Sequence, residues 1–82
     1  VTPEDEIRRG EEASRIANNP LFKESMAVLK QALIDQWQLT PLKDTEMREH
    51  LWAIYVGTHK FEEILRSIMD SGKMAAIPKP QV

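Results

Sequence analysis

His59 and Glu63 stand four residues apart, one turn along a helical pattern, and come nearest to a metal-binding pair in this chain. An imidazole and a carboxylate at that spacing supply two of the three or four ligands a zinc site takes. His50 is nine residues from His59, which sets it elsewhere around the helix, and no H-E-x-x-H pattern occurs. The pair is expected to be a helix-surface contact, and no metal or other cofactor is expected. Nucleophilic catalysis needs an activated side chain with a base beside it. Ser14, Ser25, Ser67 and Ser71 fall within helical patterns, and the neighbours Glu62 and Glu63 diverge around the helix. The three glycines are isolated at 10, 57 and 72, so no phosphate-binding loop is present. No enzyme is expected.

Charge points away from nucleic acid. Arg8, Arg9 and Arg15 are interleaved with Glu4, Asp5, Glu6, Glu11 and Glu12, leaving residues 1–20 at net −2. The whole chain has 11 Lys and Arg against 13 Asp and Glu. A grip on phosphates needs clustered positive charge, so direct contact with DNA or RNA is not expected. No apolar run approaches the roughly 20 residues of a membrane span, and no membrane partner is expected. The opening VTPEDEIRRG is charged and lacks the apolar core of a signal peptide. With no cysteine, disulfides and thiolate metal sites are out, and a reducing compartment is compatible.

At 82 residues the chain is one domain at most, with a core that is marginal without a partner. Pro3, Pro20 and Pro41 each follow a plausible cap and punctuate three helical segments. The first, about 3–18, has Thr2 as N-cap and acidic residues in its first turn. Its stripe of Ile7, Gly10, Ala13, Ser14 and Ala17 is thin, and suits a peripheral helix laid closely on a neighbour. The second, about 20–38, carries Phe22, Met26, Leu29, Leu33 and Trp37 on one face and Leu21, Val28, Ala32 and Leu39 beside it. That is more apolar surface than one neighbouring helix covers. A short linker then joins antiparallel neighbours, and either Thr40-Pro41 or Asp44 can cap the next helix. The third, about 44–71, sets Met47, Leu51, Ile54, Thr58, Phe61, Leu65 and Ile68 at alternating steps of 4 and 3, a heptad seam. Gly72 suits a C-terminal cap, and residues 73–82, with Pro78 and Pro80, are expected to be an extended or disordered tail.

The expected core is therefore Phe22, Met26, Leu29, Leu33 and Trp37 against Met47, Leu51, Ile54, Phe61, Leu65 and Ile68. At about 100° per residue, Trp52 and Val56 point almost opposite that seam, with Tyr55 off the seam edge and His59 close to the Trp52 side. Either the first helix covers this second side, or Trp52, Tyr55, Val56 and His59 form a protein interface, where aromatics are enriched. The interface is the preferred reading. Phe61→Ala is expected to cost about 3–5 kcal/mol, as a buried aromatic does.

Several short motifs run through residues 6–75: R-x-G-x-x-A at Arg8, Gly10 and Ala13, N-P-L-F at Asn19–Phe22, a helix-closing Trp37, a turn with Asp44, R-E-x-L-W at Arg48–Trp52, and G-K-M-A at Gly72–Ala75. In these the chain resembles a group of small α-helical proteins encoded in tailed-bacteriophage genomes, often near structural and packaging genes. The resemblance implies a viral origin and carries over no catalytic residue.

The expectation is thus an all-α protein: one domain over 1–72, with a short N-terminal helix and a long antiparallel helical hairpin. Its expected role is a non-enzymatic phage protein acting by protein–protein interaction. That would be a homo-oligomeric virion or DNA-packaging accessory component, partnered by itself or by another phage or host protein. The alternative is a small host-directed inhibitor that blocks a host protein. Either would work in the host cytoplasm, the first also in the virion.

Overall fold

Each helix begins where the sequence supplies an acceptor for its orphan N–H groups. In the computed structural model, which describes residues 2–78, the elements are α1 (Pro3–Asn18), α2 (Pro20–Leu39) and α3 (Thr45–Ala76). Thr2 caps α1, its hydroxyl accepting from the Asp5 N–H at 3.1 Å. Asn19 caps α2, its side-chain oxygen accepting from the Leu21 and Phe22 N–H groups at 2.9 and 3.1 Å. Asp44 caps α3, accepting from the Met47 N–H at 3.2 Å, so Asp44 and not Thr40-Pro41 opens that helix. Asn19 also closes α1, because Pro20 pushes the residue before it out of the helical region (φ −65°, ψ 124°).

The all-α class and the antiparallel pairing of α2 with α3 are as the sequence indicates. Phe22 meets Phe61 with ring centroids 6.2 Å apart, Lys30 pairs with Glu62 at 2.5 Å, and Trp37 lies under Arg48. These contacts run from Arg48 to Glu62, along the first half and middle of α3.

The placement of α1 differs from the expectation. It is not laid on the α2–α3 hairpin but continues the line of α2, packing against the C-terminal part of α3. Gly10 sits against the backbone of Ile68 and Gly72, and Gly72 against that of Glu6. The first arm of the hairpin is thus α1 and α2 in succession, broken at Asn19, and the second arm is α3. The molecule measures 63 × 27 × 18 Å.

The end of α3 is a second correction. Gly72 is no cap: the helix runs on to Ala76, and no described glycine has a positive φ. Gly72 is where α1 comes closest, and Met74, Ala75 and Ala76 are good helix formers that carry the helix past it. Ile77 is extended, ahead of Pro78. Of the expected tail, 73–76 is therefore helical, while 79–82 lies outside the described residues.

The core is a third correction. Among the eleven expected core residues only Leu33 and Leu51 are buried; Phe22, Met26, Leu65 and Ile68 are half-buried, and Leu29, Trp37, Met47, Ile54 and Phe61 are exposed. Two helices meet along one line, and residues flanking that line need another layer to cover them. The heptad seam splits accordingly: Leu51, Thr58 and Leu65 turn towards the other arm, and Met47, Ile54 and Phe61 turn outward. Thr58, the seam's polar member, is buried, and its hydroxyl donates to the Ile54 carbonyl at 3.0 Å.

Candidate functional site

Several ionisable side chains pair with neighbours on the helix surfaces. The Glu63 carboxylate lies 3.6 Å from Lys60, not against His59. His59 instead has its Nδ1 3.9 Å from Glu62, whose carboxylate also takes Lys30 from α2. Arg8 pairs with Asp5, and Arg15 with Glu12. Asp5 is held below the ordinary carboxylate range, first by its hydrogen bonds with Thr2 and then by Arg8. Ser14 Oγ accepts from the Asn18 amide. Among the described residues no cluster of three or more His, Cys, Asp or Glu could hold a metal, and no helix is long and apolar enough to cross a membrane.

Arg48 has a role that sequence reasoning missed. Its guanidinium stacks 3.7 Å over the Trp37 ring and donates to the carbonyls of Trp37 and Thr40 at 3.2 and 3.0 Å. Trp37 lies in the last turn of α2, where its carbonyl also accepts from the Thr40 N–H, and Thr40 is the residue that caps the helix, so one side chain braces the end of α2 and clamps it to α3. The signal was the basic residue of R-E-x-L-W, placed just across a short turn from a helix-closing tryptophan.

The hairpin presents two apolar flanks either side of its contact line. One groups Ile34 and Trp37 of α2 with Trp52 and Tyr55 of α3. Trp52 is 61% exposed, because α1 lies along the far part of α3 and does not reach it. Its ring leans on Tyr55 at 5.9 Å, and Tyr55 meets His59 edge-on at 4.7 Å. Trp52, Tyr55 and His59 thus form a ladder along α3, with Val56 exposed beside it. The other flank groups Gln36 and Leu39 of α2 with Met47 of α3. At about 100° per residue, Leu29 of α2 and Ile54, Gly57, Phe61 and Ile64 of α3 continue it. Phe61 is 50% exposed there.

The total is more than a monomer of this size normally shows. A 9.4 kDa globular chain exposes about 5,000 Å², whereas this one exposes 6789 Å². Its radius of gyration is 18.0 Å, against about 12 Å for a compact domain of this length. The two apolar flanks are part of that surface, and large exposed apolar patches mark interaction sites.

No protein-family model, curated protein or solved structure matches the chain.

Proposed function

We propose that this is a non-enzymatic protein that works by association of its helical hairpin, first of all with itself. The observation that carries the reading is the excess surface, about 1,800 Å² beyond a compact chain of 9.4 kDa. Obligate homodimers bury roughly 1,000–2,500 Å² per partner. The excess falls inside that range. The motifs at Arg8–Ala13, Asn19–Phe22, Arg48–Trp52 and Gly72–Ala75 support placing it among phage proteins, as a virion or DNA-packaging accessory component in the host cytoplasm or the particle. The net charge of −2 favours protein partners over direct contact with DNA.

A second reading, a host-directed inhibitor, is favoured by the Trp52 flank. An exposed tryptophan beside Tyr55, Ile34 and Trp37 offers an anchor site for another protein's side chains. Light scattering on a sizing column across a range of concentrations separates the two. A stable oligomer supports self-association. A 9.4 kDa monomer throughout rejects it and leaves the inhibitor reading in front.

A further inference from the structure

The two flanks differ in chemistry. The Trp52 flank carries the Arg48 guanidinium and the Lys30–Glu62 ion pair. The opposite flank sets Leu29, Met47, Ile54, Phe61 and Ile64 together, all five exposed, with Asp44 at its end beside Met47. Gly57 lies in the middle of it, and a Cβ built there would meet nothing within 4 Å. Glycine in mid-helix weakens the helix, and nothing inside this chain uses the gap. The other two glycines show what such a gap allows here, since Gly10 and Gly72 bring two helices together backbone to backbone.

The sequence around Gly57 is nearly symmetric. Ile54 and Phe61 stand three before and four after it, His50 and Ile64 seven before and seven after, and Met47 and Ile68 ten before and eleven after. A two-fold axis through Gly57 would set Ile54 opposite Phe61 and Met47 opposite Ile68 of an antiparallel copy, apolar against apolar, with His50 opposite Ile64.

We propose that a second copy of this chain packs on the Met47–Ile54–Phe61 flank, with the two α3 helices antiparallel and crossing at Gly57. This rests on the self-association reading and adds the face and the crossing point. The uncovered seam residues then become the core of a four-helix assembly, with α2 of each copy contributing Leu29. The Trp52 flank stays outside and free.

The chain has no cysteine, so single engineered thiols report the geometry directly. A mixture of Ile54→Cys and Phe61→Cys chains, two positions that the axis sets opposite each other, and Trp52→Cys alone would each be oxidised by air at concentrations where light scattering shows the oligomer. The mixture should form the mixed covalent dimer at least ten-fold faster than Trp52→Cys forms its own. Equal or reversed rates from a chain that is oligomeric would overturn the face and leave self-association standing. A chain that is monomeric by light scattering at all concentrations overturns both. Gly57→Leu gives an independent check, because its side chain meets open space in the single chain. It should raise the dissociation constant at least ten-fold with helicity unchanged, and an unchanged constant would reject the crossing point.

Discussion

Gly10 of α1 and Gly72 of α3 touch backbone to backbone: a Cβ built on either would stand 2.9 Å from the other's Cα. Real Cβ atoms do not come that close, and neither obstacle is a flexible side chain that could swing away. The contact joins the ends of the two arms and holds α1, whose only buried residues are Gly10 and Ala13.

Gly10→Ala is therefore expected to destabilise the protein. Overpacking costs about 1–3 kcal/mol, and the better helix propensity of alanine returns about 1 kcal/mol, for a net loss of up to about 2 kcal/mol. Urea unfolding followed by circular dichroism measures it, and hydrogen exchange should show α1 amides losing protection first. A variant as stable as the parent would mean the arms can part there without cost.

Arg48→Ala should lose about 1–3 kcal/mol, since it removes a charged donor to two carbonyls and the stack on Trp37. Arg48→Lys should recover only part of this, because an ammonium cannot stack flat and fork to two acceptors together. Denaturant midpoints of the three proteins test the order. Lysine restoring full stability would reduce the interaction to simple charge.

Much of this architecture was legible in the residues. Thr2 and Asn19 announce helix starts, and the third was narrowed to Thr40-Pro41 or Asp44, because caps and prolines act locally on one or two backbone groups. The stripe of Gly10, Ala13 and Ala17 announced close packing, though not against which part of α3. That part was not legible, because the one-residue break at Asn19 sets whether α1 folds back or runs on, and both outcomes satisfy the same periodicity. Gly72 misled for a related reason. A glycine near a helix end suits a cap and a helix crossing equally well, and only the position of Gly10 decides between them. The core expectation overreached because a heptad seam says which residues seek apolar cover, not whether the same chain supplies it. Leu51 found that cover, and Ile54, three residues on, did not.

The pH dependence of α1 is set by Asp5. Its folded pKa is depressed by hydrogen bonding with Thr2 and by Arg8, so the ionised form supports the helix start. That contribution is present above the unfolded carboxylate pKa and is lost as pH falls through the lower folded value. Asp5 lies at the surface, in the first turn of α1, so the effect is local. An NMR titration should find the Asp5 carboxyl titrating below the ordinary carboxylate range, with the Thr2–Asp5 first turn fraying in step. Thr2→Val should raise the Asp5 pKa towards that range. An Asp5 that titrates at the ordinary value in the parent would remove the proposed cause.

Phe61 separates what one chain supplies from what a second supplies. Being 50% exposed, it should not show the full cost of a buried aromatic in an isolated chain. At concentrations where the protein is monomeric, Phe61→Ala should cost only about 1–2 kcal/mol. Self-association makes apparent stability rise with concentration, so the parent's melting temperature should climb as protein is added. Phe61→Ala should flatten that climb, because the ring lies on the Met47–Ile54–Phe61 flank. Trp52→Ala, on the other flank, should leave both the climb and the helicity intact. Thermal melts at a series of concentrations read all three proteins together. If Phe61→Ala costs about 3–5 kcal/mol at every dilution, the ring is buried by its own chain and the outward turn of the seam is wrong. If Trp52→Ala is the variant that flattens the climb, the copies meet through the aromatic ladder of Trp52, Tyr55 and His59 instead.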